Sequence, residues 1–142
     1  MSLRKTDIPC FTYTDFDCYV SQSYNVIKTQ RWNNKALTVI LNSSTIAFWL
    51  RYKGKMQGDN YQIDKEPLLA IPLPKLDEEI TEHFVKLAEQ MIDTKKNLSN
   101  AKSDADKKTL EQKVALIDQQ INSAVYKLYA LSDSEIKVIE GK

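Results

Sequence analysis

A chain of 142 residues and 16.4 kDa makes one ordinary domain, long enough to bury a core without disulfide or metal staples. Apolar residues at 42%, charged residues at 27%, four prolines and only three glycines exclude a disordered, fibrous or low-complexity polypeptide. The net charge of +1 hides an asymmetry: residues 1–75 carry ten Lys/Arg against six acids, residues 76–142 ten against thirteen, and residues 28–65 seven against two. A polyanionic partner and a merely solvated basic surface account for that local excess equally well.

The opening MSLRKTDIPC lacks the apolar centre of a signal peptide, and no apolar run of about 18 residues follows. Neither export nor a membrane partner is expected, and the cytoplasm is the expected compartment. Cys10 and Cys18 form no CxxC and have no histidine cluster beside them, so they read as free thiols. Residues 11–28, FTYTDFDCYVSQSYNVIK, are rich in aromatic and β-branched residues that alternate with polar ones, which predicts a strand. After the polar corner TQRWNN the period changes. Leu37, Ile40 and Leu41 form one apolar stripe and Ile46, Phe48, Trp49 and Leu50 another, which predicts two short helices, the second capped near Ser43 or Ser44 and stopped by Gly54.

MQGDNYQI then reads as a polar turn with a short strand, and IDKEPLLA as a turn or a single helical turn. AIPLPKL reads as an extended exit, because its prolines cannot donate to a ladder. Residues 77–98 place Ile80, Phe84, Leu87, Met91 and Leu98 on one stripe, widened by Val85, Ala88 and Ile92, with acids in the first turn; this is a long amphipathic helix. NLSNAKSDADKK is a polar break, followed by a second helix with Leu110, Val114, Ile117, Ile121, Ala124 and Leu128 at three- and four-residue steps. A last helix starts at Ser132, where Ser-Asp-Ser-Glu has capping-box spacing. The expected fold class is α+β. A small mixed α/β lobe of short strands and two short helices spans 4–75, and an antiparallel helix hairpin with a short terminal helix spans 76–142, one structural unit with the lobe.

The segment RYKGKMQGDNYQ (51–62) concentrates the chemistry. Arg51, Lys53 and Lys55 stand at a helix end and in the following loop, where long cations reach phosphates. Gln57, Asn60 and Gln62 carry the donor and acceptor pairs that match an adenine edge. A second group, Ser21, Gln22 and Ser23 on the expected strand with Lys28 and Arg31 after it, offers further contacts to duplex DNA. For any single member a solvated loop residue is an equally good reading; the cluster carries the argument. Trp32, Trp49, Tyr52 and Tyr61 flank the basic stretch. Trp49 belongs to a core stripe, which leaves Trp32 and Tyr61 as stacking candidates.

Catalytic motifs are sparse. Gly54 and Gly58 follow a helix and precede a strand, the reverse of a phosphate-binding loop, and no GxxxxGK[ST] occurs. His83 has no serine, cysteine or carboxylate paired with it in the sequence and reads as a helix-surface residue. Glu135-Ile136-Lys137 supplies the Glu-x-Lys of a metal-dependent nuclease, but a capping box uses Glu135 better. The chain is expected to have no catalytic activity, metal or cofactor of its own.

The tail INSAVYKLYALSDSEIKVIE (121–140) resembles the end of the TaqI-like C-terminal specificity domain of type II restriction–modification enzymes, in which nuclease, methyltransferase and recognition modules share one chain. Ile121, Val125, Tyr126, Leu128, Tyr129, Leu131, Glu135, Ile136 and Glu140 match the family pattern; Asn122 stands for Asp, Ala130 for Gly, Ser132 for Thr and Ile139 for Val. ALTVILNSSTIAFWLRYKG (36–54) and IDKEPLLAIPLPKL (63–76) are similar to earlier pieces of the family, which the specificity subunits of type I restriction systems share. The resemblance covers roughly residues 19 to 140. It implies a bacterial target recognition domain: a lobe that contacts the major groove of double-stranded DNA, and helices that join it to upstream methyltransferase and nuclease domains. S-adenosylmethionine and magnesium are then expected only in those upstream domains, and the first part of the lobe upstream of this chain. Two alternatives stay open: a fragment of a type I specificity subunit, and a protein–protein docking module with no DNA contact.

Overall fold

The computed structural model describes residues 10–22, 24–53, 55–57, 60–62 and 65–142, of which 55–57 and 60–62 are described through their backbone. Its helices are α1 (Asn34–Leu41), α2 (Ser44–Lys53), α3 (Lys65–Leu69), α4 (Glu78–Asn100), α5 (Asp104–Leu128) and α6 (Asp133–Ile139). Between α2 and α3 the strands β1 (Lys55–Gln57) and β2 (Asn60–Gln62) pair antiparallel.

Helices α1, α2, α4, α5 and α6 start where a short polar side chain takes up free amides. Asn33 accepts from the Lys35 and Ala36 N–H groups, Asp77 from Ile80, Ser103 from Asp106 and Ser132 from Glu135. At α2 the work is shared. Ser43, fully buried, donates its hydroxyl to the Ile40 carbonyl at 2.7 Å and accepts from the Ile46 N–H at 3.4 Å. The Ser44 N–H is taken at 2.8 Å by the Asn122 side chain, reaching across from α5. The position where the resembled family carries an acid thus caps one helix from another.

The wide apolar stripe of α4 lets it pack against both α5 and α1. Phe84, Leu87 and Ala88 of α4 join Ile117, Ile121 and Val125 of α5, five buried residues of α1, Ile46 and Leu50 of α2, and Ile71 in one core. Phe84 sits at 1% exposure, and its truncation to alanine should cost about 3–5 kcal/mol. The front segment and the hairpin therefore share a single core. Helix α5 ends with the Leu131 N–H on the Tyr126 carbonyl and the Ala130 N–H on the Lys127 carbonyl, both at 3.0 Å, the bond pair of a Schellman motif. That motif puts Ala130 at φ +51°, a left-handed conformation that favours glycine.

The expected α+β class is overturned: the protein is helical, and the three-residue hairpin is its sole sheet among the described residues. No helix or strand forms over residues 10–22 and 24–33, where the alternation predicted a strand. A strand needs a neighbour for its backbone groups and a buried side for its apolar residues, and the core is already closed by helices. Within the segment the Tyr24 N–H instead reaches the Ser21 carbonyl at 3.0 Å. Its front end is tied down by Asn42, whose side chain accepts the Phe11 N–H at 2.9 Å and donates to the Phe11 carbonyl at 2.8 Å. The polar break also shrinks. Helix α4 runs to Asn100 and α5 starts at Asp104, because Ser103 supplies the cap. No helix among the described residues is long and apolar enough to cross a membrane.

Candidate nucleic-acid interface

The amphipathic pattern of α2 buries Ile46 and Leu50 and leaves Arg51, Tyr52 and Lys53 exposed in the last turn. Cations there face the negative end of the helix dipole, which favours them. Neither Arg51 nor Lys53 has an ion-pair partner among the described residues. Both charges are therefore available to a ligand.

The chain then enters β1. The register sets Lys55 opposite Gln62, Met56 opposite Tyr61 and Gln57 opposite Asn60. Opposed residues in an antiparallel pair share a side of the ribbon, and neighbours along a strand alternate. Positions 55, 57, 60 and 62 consequently lie on one face, and positions 56 and 61 on the other. The hairpin brings together the four polar candidates that the sequence spreads over eight positions. Gly54, Gly58 and Asp59 lie outside the described residues.

The second candidate group is not assembled by any regular element. Ser21, Gln22, Lys28 and Arg31 are exposed along the irregular front segment, and Ser23 lies outside the described residues. The Arg31 N–H is engaged locally by the Thr29 hydroxyl at 3.1 Å.

Among the aromatic residues, Trp32 packs against the core together with Trp49 and stays partly exposed, and the side chain of Tyr61 lies outside the described residues. Tyr52, passed over in the sequence, is 72% exposed between Arg51 and Lys53 and rests on Phe48, ring centroids 4.7 Å apart. The available signal was its place off the Ile46–Leu50 stripe, in a turn that also holds two cations.

Elsewhere, the Glu135 carboxylate accepts from the Ser132 N–H at 2.8 Å and from the Ser132 hydroxyl at 2.7 Å. These bonds hold its pKa below the usual carboxylate value. The capping box accounts for Glu135 without a metal. The Tyr129 hydroxyl is buried without a partner among the described residues, and desolvation pushes its pKa up to about 12. Between α4 and α5 an open groove is lined by Ile80, Phe84, Ala124 and Leu128, with Leu116 exposed on its rim.

Comparison with protein-family models, with curated proteins and with solved structures finds no match to this chain. The resemblance of its tail to restriction specificity domains rests on the residues quoted above.

Proposed function

We propose that this chain is a non-catalytic DNA target-recognition module, the C-terminal fragment of a bacterial restriction–modification enzyme whose methyltransferase and nuclease lie upstream. The observation that carries the reading is the run of Arg51 and Lys53 at the exposed end of α2 into a ribbon whose single face holds positions 55, 57, 60 and 62. A two-stranded ribbon fits the major groove of B-DNA, where glutamine and asparagine pair with adenine edges and lysine with guanine, each good pair contributing about 1–3 kcal/mol of discrimination. Arg51 and Lys53 bind phosphates on the flank and set the register of the ribbon. Tyr52 adds an exposed ring between them. S-adenosylmethionine and magnesium belong to the upstream modules. A type I specificity subunit is the other setting in which the same module works.

The test is a fluorescence-anisotropy titration of duplex DNA, with this chain and with its intact parent, over a series of salt concentrations. Binding should weaken with a log–log slope of about −0.9 per phosphate contact, and Arg51→Gln with Lys53→Gln should flatten that slope by about 1.8. Absence of duplex binding by the parent at low salt refutes the proposal. The α4–α5 groove with its exposed Leu116 favours a second reading, docking of a partner protein. A pure docking module would keep its partner affinity in the Arg51→Gln/Lys53→Gln variant.

A further inference from the structure

A ribbon that reads base pairs in the major groove leaves the ring of Tyr52 without a role, because the faces of paired bases are covered by their neighbours in the stack. Tyr52 is 72% exposed and stands one turn beyond Phe48 on the same side of α2. The Phe48 ring supports it at a centroid distance of 4.7 Å and an interplanar angle of 50°. A ring braced from one side presents its other side to a ligand.

The charges around it define that ligand. Successive residues of an α-helix are turned by about 100°, so Arg51 and Lys53 leave α2 on opposite sides of Tyr52. Both are exposed, and neither has an ion-pair partner among the described residues. Residues 18–58 contain no Asp or Glu, so neither α1 nor α2 carries an acid to neutralise them. The arrangement is an open aromatic face with a cation on each side. A polyanion without rings makes no use of the aromatic face, and an apolar partner makes no use of the cations. A nucleotide within a single strand matches both: its base has a free face, and a phosphate flanks it on each side.

We propose that the last turn of α2 is a binding site for single-stranded DNA, in which an unpaired base stacks on Tyr52 while Arg51 and Lys53 hold the phosphates on its two sides. Stacking accepts any base, so the site has no sequence preference of its own. The inference deepens the DNA reading and rests on it for the two cations, which serve the flank of a duplex and the backbone of a single strand alike.

Fluorescence anisotropy of the full chain with a labelled, non-self-complementary single strand should show binding whose log–log salt slope is about −0.7 per phosphate. Tyr52→Ala should weaken that binding about fivefold or more and leave the slope unchanged, whereas Arg51→Gln with Lys53→Gln should flatten the slope by about 1.4. Tyr52→Phe, which keeps the ring, should bind like the original chain, and Tyr52→Leu, apolar but without a stacking face, should bind like Tyr52→Ala. Duplex affinity should be indifferent to Tyr52→Ala. Single-strand affinity that is equal in Tyr52→Ala, Tyr52→Leu and the original chain, or no single-strand binding at low salt, would overturn the proposal. Duplex titrations in the same series decide the DNA reading separately, since loss of single-strand binding with duplex binding intact removes only the stacking site. Circular dichroism, which should keep the helical signal in every variant, separates loss of stacking from loss of fold, and the comparison of Tyr52→Phe with Tyr52→Leu decides the question should alanine disturb α2.

Discussion

Replacing Ala130 with glycine should stabilise the protein. Ala130 occupies the left-handed position after α5 at φ +51°, fixed there by the two carbonyl-directed bonds from its own N–H and that of Leu131. An L-residue with a Cβ pays about 1–2 kcal/mol for that conformation, and glycine pays none. Against this gain stands the greater freedom glycine gives the unfolded chain, about 0.4–1 kcal/mol. The difference leaves about 0.5–1 kcal/mol in favour of glycine. Ala130 is exposed, so no packing is lost with its methyl group. With an unfolding entropy near 2.1 cal/mol/K per residue, Tm should rise by roughly 2–3 °C, readable by calorimetry or by circular dichroism at 222 nm. Ala130→Val, whose branched side chain tolerates positive φ less well, should lower it. A fall in Tm for Ala130→Gly, or an unchanged Tm for Ala130→Val, would show that α5 does not end in this motif.

Asn122→Ala removes the acceptor of the Ser44 N–H and should cost about 1 kcal/mol, with faster amide exchange at the start of α2. The raised pKa of Tyr129 means the folded state holds its phenolic proton more tightly than the unfolded chain. The stability it contributes is complete below about pH 10 and is lost as pH rises towards about 12. Tyr129→Phe removes a hydroxyl with no described partner, so it should leave stability near neutral pH equal or higher and flatten that alkaline loss in urea titrations. Glu135 has the opposite sign. Its lowered pKa contributes stability above its unfolded value near 4.3, lost as pH falls through the folded one, so Glu135→Gln should lose part of this acid dependence.

The helices were legible because their signals are local. Asn33, Asp77, Ser103 and Ser132 accept the first-turn amides, and the apolar stripes from Ile80 to Leu98 and from Leu110 to Leu128 each run for about five turns. The segment 11–28 misled for the complementary reason. Alternation records what a residue run would do beside a sheet, and whether a sheet is present is a property of the whole chain. The tail that resembles a family signature turned out to hold the fold together: Val125 and Tyr126 are buried, Glu135 closes a capping box, and Ala130 fills a glycine's position. In the candidate site the cations were visible in the sequence, whereas the shared face of positions 55, 57, 60 and 62 follows only from a register that two three-residue strands are too short to announce. Tyr52 was passed over because the exposure of an aromatic on α2 depends on which helix face meets the core.

Hydrogen–deuterium exchange of the chain with and without duplex DNA at low salt tests the proposed reading surface most directly. Slowed exchange confined to residues 51–62, the end of α2 and the ribbon, is the predicted result. Protection along α4 and α5 with none at 51–62, or no protection anywhere under conditions where the parent protein binds the duplex, would contradict it.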